Sequence, residues 1–134
     1  MPIYPKWAEE VVKGTAGTAL NGSGTTGLFA ALIDTGVYTY SASHQFYSSI
    51  SSAIIGTPVE LGTKTYVDGV IDAANTTFTA VSGATTEAVA LYISNAGANT
   101  TWRLFAFIPS VNATPNGSDI ILNWNAAGIV NLLG

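Results

Sequence analysis

The segment EAVALYIS (87–94), followed after a polar loop by TWRLFAFI (101–108), decides the fold of this chain. Apolar side chains occupy both alternating faces of each segment, which predicts two antiparallel strands that are buried on both sides. In a domain of 134 residues the second face is covered either by helices of the same chain or by another subunit.

Turn residues divide most of the remaining chain into short strands. Candidate strands occupy residues 28–34, 59–67, 70–72, 76–81, 119–124 and 129–133. The pair Asp68-Gly69 is typical of a two-residue hairpin turn. The sequence therefore predicts a mainly β protein, an antiparallel β-sandwich or jelly-roll-like barrel, with one or two short helices near the N-terminus.

The beginning of the chain differs from the rest. Residues 1–14 are predicted to form a short helix or arm, and residues 15–134 a single β-sandwich domain. Pro5 suits the first helical turn, Gly14 suits its end, and Trp7 and Val11 lie four residues apart on one face. This helix either packs on its own sheet or anchors the chain to a neighbour. A second, brief helix is expected after Ser43.

The composition excludes several classes of function. Only 9% of the residues are charged and the net charge is −4, so we expect no binding to nucleic acid. The chain has no cysteine, which excludes thiol catalysis, disulfides and cysteine-based zinc sites.

Residues that carry out chemistry are scarce. His44 is the single histidine. Asp68 and Asp72 are better explained by turn formation than as a pair of carboxylates that cleaves a glycoside or binds Ca²⁺. We therefore expect no enzyme activity, no catalytic residues, no cofactor and no metal.

The N-terminus lacks the basic start and apolar run of a secretory signal, and no apolar stretch approaches the ~20 residues of a membrane helix. We expect no membrane partner and synthesis in a cytoplasm.

Aromatic residues allow two interpretations. A sugar-stacking platform is one, but most of these residues are better explained as core or cross-strand pairs. The residues considered for the platform are Tyr38, Tyr40, Tyr47, Trp102 and Trp124. The residues considered for an interface with another subunit are Tyr4, Trp7, Val11, Trp102, Phe105 and Phe107.

An ordered set of segments from residue 4 to about residue 133 resembles small structural proteins of tailed bacteriophages, including cyanophages. The segments are YPK (4–6), ALID (31–34), YTYSASH (38–44), DGVIDAAN (68–75), TF (77–78), AVALY (88–92), RLFAFI (103–108), PNG (115–117) and DI (119–120). Residues 15–27 and Ala126-Ala127 diverge from this pattern.

The resemblance implies a non-enzymatic virion protein made in the host cytoplasm. The expected role is a capsid decoration, or cement, protein on the outer head shell. Such proteins are commonly homotrimers, and the expected partners are other copies of the chain and the phage major capsid protein. The alternative is a tail, fibre or adaptor component, for which contact with glycans is one option.

Overall fold

A computed structural model describes residues 3–133, and nine strands lie within them. The strands are β1 (Leu28–Ile33), β2 (Ile54–Glu60), β3 (Thr65–Val67), β4 (Val70–Asp72), β5 (Thr76–Phe78), β6 (Thr86–Ile93), β7 (Arg103–Ala113), β8 (Ile120–Leu122) and β9 (Val130–Asn131).

The strands form three antiparallel sheets. The central sheet has the order β2-β1-β6-β7, and the smaller sheets are β3-β4-β9 and β5-β8. The small sheets pack over one face of the central sheet, which makes the fold β-sandwich-like. The prediction of a mainly β, antiparallel sandwich is confirmed.

Both faces of the central sheet are covered by the chain itself. On one face, side chains of the central strands meet the small sheets in a core that contains Leu28, Leu32, Leu91, Phe105, Ile71, Phe78 and Val130. On the other face, residues from outside the sheet cover Ala31, Ile33, Ala90 and Leu104; they are Tyr4, Tyr38, Ile50 and Ala53. The apolar pattern on both faces is therefore satisfied without a second subunit.

One α-helix, α1 (Pro5–Val12), lies near the N-terminus. Pro5 occupies its first turn, and Gly14 follows its end with φ of 72°, a conformation that suits glycine. Just before the helix, the Tyr4 amide donates to the Phe105 carbonyl at 2.9 Å. This bond ties the helix to the outer edge of β7.

The second helix that we expected after Ser43 does not form. Two 3₁₀ turns, Tyr47–Ser49 and Ser51–Ala53, replace it further along the chain. Phe46 stays extended and bridges Arg103 at the edge of β7, and the Tyr47 amide donates to the Trp102 carbonyl at 2.8 Å. Pairing with this strand edge competes with helix formation in a serine-rich segment.

The segment 59–67 is not one strand. β2 already starts at Ile54 and ends at Glu60, and β3 begins only at Thr65. Between them Thr63 takes a φ of 50° while Leu61 is buried in the core, so the chain turns here. The predicted hairpin at Asp68-Gly69 is present, with φ of 51° and 78°, the backbone of a type I′ turn.

Candidate functional site

Three of the six predicted interface residues lie inside the protein. Tyr4 and Phe105 have no exposed surface and Trp7 is 8% exposed. The rings of Trp7 and Phe105 meet edge to face at 4.6 Å, and the Trp7 indole N–H donates to the Thr18 carbonyl at 2.9 Å. These residues are core rather than interface, because α1 folds back on the sheet.

The other three predicted interface residues reach the surface. Val11 is 42% exposed, while Trp102 and Phe107 are half-buried. Phe107 contacts the rings of Tyr38 and Tyr40 at 5.7 and 5.6 Å. Trp102 lies in a different cluster, so the six residues do not form one surface.

Trp102 belongs to a ladder of aromatic rings across three chain segments. The Tyr92 ring lies between Phe29 and Trp102, with centroid distances of 5.6 and 5.7 Å and interplanar angles of 14° and 2°. Tyr47 meets the ladder edge to face, 4.8 Å from Tyr92 and 5.2 Å from Trp102. Cross-strand stacking of this kind holds the rings in a fixed row.

This ladder forms one wall of an open groove of about 440 Å³, here called the aromatic groove. Its lining includes Thr25, Phe29, Tyr92, Ser94, Asn95 and Trp102. A second hollow of about 230 Å³ is lined by Gly17, Ala19, Asn21, Gly22, Thr26, Ile93, Ser94 and Asn95. Ser94 and Asn95, which follow the end of β6, line both hollows.

Polar contacts hold the groove in shape. The Trp102 indole N–H donates to the Asn95 carbonyl at 3.1 Å, and the Asn95 side chain accepts from the Gly97 amide at 2.7 Å. The Ser94 hydroxyl donates to the Thr25 carbonyl at 2.9 Å. Hydrogen bonds within the chain therefore hold the groove in this shape.

The groove itself is uncharged. All the residues that line it have neutral side chains. The Glu60 carboxylate lies beside it and accepts the Gly24 amide at 3.0 Å, so it anchors the loop that forms one rim.

A chain of linked hydrogen bonds lies on the face of the central sheet that also carries the aromatic groove. The Tyr38 hydroxyl is 2.8 Å from the Tyr4 hydroxyl and 2.8 Å from Nδ1 of His44. Tyr38 is 4% exposed and Tyr4 is fully buried. These bonds join the segment before α1 to the segment that covers the sheet.

Burial changes the ionisation of several tyrosines. It raises the pKa of Tyr4, and the hydrogen bond with Tyr38 raises it further. Burial likewise raises the pKa of Tyr92, with a smaller contribution from the nearby Tyr47 phenol. Burial also raises the pKa of Tyr38.

We expect these tyrosines to make the protein sensitive to alkali. In the unfolded chain they lose their protons near pH 10, whereas the folded protein retains them. The folded state then binds more protons than the unfolded state, so the free energy of unfolding is unaffected below about pH 10 and falls above it, by at most about 1.4 kcal/mol per pH unit for each such tyrosine. Urea unfolding between neutral and strongly alkaline pH measures this slope. Tyr92→Phe should make the slope shallower, and an unchanged slope in that variant would contradict the assignment.

Arg103 has an unusual environment. Its guanidinium carbon lies 5.3 Å from the Phe46 ring centroid, and its Nη1 atom is buried without a hydrogen-bond partner among the described residues. Such a buried donor costs about 1–3 kcal/mol, so Arg103 does not stabilise the fold through polar bonds.

Within residues 3–133 no group of three or more His, Asp and Glu side chains is arranged to hold a metal ion. The helix in the same region is too short and too polar to cross a membrane.

Comparison with models of protein families finds none that matches this chain. Comparison with curated protein sequences also finds no match.

Sequence reasoning identified only Trp102 and Tyr47 of the ladder. It missed Tyr92 and Phe29, as well as Ser94 and Asn95. One signal was present: Tyr92 is a large residue with a polar tip on a strand face that otherwise carries Ala88 and Ala90. The groove depends on residues that are distant in sequence, so that signal alone does not locate it.

Proposed function

We propose that this chain is a structural protein of a tailed-bacteriophage particle, a decoration protein that binds the outer head shell as a homotrimer and stabilises contacts between capsomers. It acts by binding and performs no chemistry. The ordered resemblance from residue 4 to about residue 133 is the observation that carries this proposal.

Exposed apolar side chains at one end of the β3-β4-β9 sheet support a role in protein contact. Val67 is 62% exposed and Leu133 is 81% exposed. Leu133 lies against Gly69, where an added Cβ would be 2.9 Å from the Leu133 Cγ. We call Val67, Gly69 and Leu133 the tip surface. In the proposal, these exposed apolar side chains make the contact with the other protein.

The surface elsewhere also suits assembly. Only 9% of the residues are charged. Few strongly hydrated side chains therefore have to be desolvated when the chain binds another copy or a partner. Since the chain covers its own central sheet, the proposed trimer and shell contacts use the outer surface.

The proposed mechanism is mass action. A subunit that binds the assembled shell and not the free coat protein stabilises the shell by its binding free energy at each site. Many copies on one shell add these contributions, so weak single contacts produce a stable particle.

The test uses the purified chain and particles of the phage that encodes it. Native mass measurement at micromolar concentration is expected to give a trimer, and electron microscopy of particles with a labelled chain is expected to place the label on the head. Val67→Asp combined with Leu133→Asp should abolish particle binding without unfolding the protein.

The matched control is Val12→Asp, which changes a residue that is 87% exposed on α1 and should leave binding intact. A label on the tail would contradict the decoration role, and a strictly monomeric chain would contradict the trimer. Unchanged particle binding by the double variant would contradict the use of the tip surface.

A further inference from the structure

We propose that Asn21 is a site of spontaneous modification, at which the amide nitrogen of Gly22 converts the asparagine side chain to aspartate or isoaspartate. This site is independent of the tip surface and of the proposed structural role, because the reaction uses only the chain's own residues and water.

The sequence contains the tripeptide Asn-Gly-Ser twice, at residues 21–23 and 116–118. A glycine after an asparagine leaves the main-chain nitrogen open to the asparagine side chain, since glycine has no Cβ to hinder the approach. Both asparagines are exposed, and neither lies in a helix or a strand. Local sequence and exposure therefore do not distinguish the two sites, and a difference in reactivity has to come from the hydrogen bonds around each one.

The reacting groups at Asn21 are free. Among the described residues, neither the Asn21 side chain nor the Gly22 amide forms a hydrogen bond, and no main-chain amide from residue 19 to residue 23 donates one. The Lys64 ammonium donates to the Gly22 carbonyl at 2.9 Å, so the segment is held without the use of that amide. The nitrogen that attacks the side chain therefore has no hydrogen bond to break first.

The corresponding groups at Asn116 are engaged. The Gly117 amide donates to the Val81 carbonyl at 2.7 Å, and the Val81 amide donates to the Ser118 carbonyl at 3.0 Å. The Asn116 side-chain carbonyl accepts the Ser118 amide at 3.0 Å, which forms an Asx turn. Because Val81 is buried in the core, this turn cannot shift without disturbing packed residues. The Gly117 N–H is directed at Val81 and is not available for the reaction.

The chemistry needs only water. The Gly22 amide gives its proton to hydroxide, and its nitrogen forms a bond to Cγ of Asn21. The bond between Cγ and Nδ2 then breaks, the side-chain nitrogen takes a proton from water and leaves as ammonia, and a cyclic succinimide remains. Water opens this ring at Cγ to give aspartate, or at the main-chain carbonyl carbon to give isoaspartate. In total one water is consumed and one ammonia is released, and nothing is oxidised or reduced.

The product differs from the original chain in charge and, as isoaspartate, in backbone length. The new carboxylate lowers the net charge by one, from −4 to −5. It arises next to Gly22, whose carbonyl binds the Lys64 ammonium. Gly22 lies so close to Thr26 that an added Cβ would collide with the Thr26 carbonyl oxygen. The fold therefore requires glycine at this position and with it retains the reactive pair of residues.

The test is incubation of the purified intact chain at mildly alkaline pH, once in buffer and once in guanidinium chloride. Peptide mass mapping follows the mass increase that accompanies replacement of the side-chain NH₂ by OH. In buffer we expect Asn21 to convert about ten-fold faster than Asn116, a ratio equivalent to about 1.4 kcal/mol and within the range of one hydrogen bond. In guanidinium chloride the two rates should agree to within about two-fold, because the unfolded chain presents the same tripeptide twice.

Variants identify the site, and hydrogen exchange identifies the cause. Asn21→Gln should remove most of the acidic species that ion-exchange chromatography resolves, because glutamine closes a larger and less favoured ring. Asn116→Gln is the matched control and should leave that species unchanged, while Asn21→Asp gives the elution position of the aspartate product. The Gly117 amide should exchange its hydrogen at least about ten-fold more slowly than the Gly22 amide.

Three results would overturn the proposal. One is conversion of Asn116 in the folded chain at a rate equal to or above that of Asn21. Another is a ratio of the two rates in guanidinium chloride as large as the ratio in buffer, which would place the cause in the local sequence. The third is equal hydrogen exchange of the Gly22 and Gly117 amides. None of these results depends on particle binding, so the modification site and the proposed structural role fail or succeed separately.

Discussion

Removal of residues 1–13 is expected to leave a chain that does not fold stably. The truncation takes away Tyr4 and Trp7, two large core side chains, and the bond from the Tyr4 amide to the Phe105 carbonyl. Truncation of a buried tryptophan to alanine alone costs about 3–5 kcal/mol, a large share of the 5–15 kcal/mol that stabilises a typical domain.

Circular dichroism and urea unfolding of the truncated chain and of Trp7→Ala measure this effect. Val12→Ala is the matched control on the same helix, because Val12 is 87% exposed, and it should change stability by less than about 0.5 kcal/mol. A truncated chain with an unchanged melting temperature would contradict the core role, and only a simultaneous loss of binding to the shell or to other copies would identify the segment as an anchor.

The charged side chains of α1 agree with a helix that packs on the sheet of its own chain. Lys6 and Lys13 both lie near the Glu9 carboxylate, at 3.1 and 3.4 Å. These pairs are exposed and contribute little to stability, but they leave no concentrated positive charge for a partner. The apolar side of the helix carries Trp7, which is buried against the sheet.

Tyr38→Phe is expected to cost about 2–3 kcal/mol, although it removes a single oxygen atom. That hydroxyl bonds with both the Tyr4 hydroxyl and the His44 ring, so its loss removes two hydrogen bonds and leaves the fully buried Tyr4 hydroxyl without a partner. An unsatisfied buried group costs more than the net value of the bond it formed.

Substitutions at the two ends of this chain of hydrogen bonds are expected to have smaller effects on stability. Tyr4→Phe and His44→Ala each remove one terminal partner and should cost about 1 kcal/mol. Tyr40→Phe changes a residue that is 37% exposed in the same aromatic cluster, and it should have almost no effect. If urea unfolding gives equal stabilities for Tyr38→Phe and Tyr40→Phe, the buried bonds do not stabilise the fold as described.

The strands that were best predicted are those with local signals. The alternation of apolar residues in 87–94 and 101–108 predicted β6 and the first half of β7, since side chains alternate across any strand. β7 continues to Ala113, beyond the expected end at residue 108. Pro109 and the positive φ of Ser110 are accepted there because this part of β7 lies at the sheet edge.

The candidate site was predicted only in part. Trp102 and Tyr47 were considered as members of a sugar-stacking platform, but together with Tyr38 and Tyr40, which belong to another cluster. Nothing in the local sequence places Phe29 next to Tyr92, since they lie on β1 and β6, 63 residues apart along the chain. Their contact results from the register of the central sheet.

The sequence by itself determined the β character, the hairpin at Asp68-Gly69 and the requirement that both faces of the central sheet be covered. These properties depend on side-chain alternation and turn geometry within a few residues. Only the tertiary structure decided which segments provide the cover, and that Tyr4, Trp7 and Phe105 are core while Tyr92 and Trp102 form a groove. An apolar pattern specifies that a face is buried but not by what, because the hydrophobic effect is non-directional and the partner is chosen by long-range strand pairing.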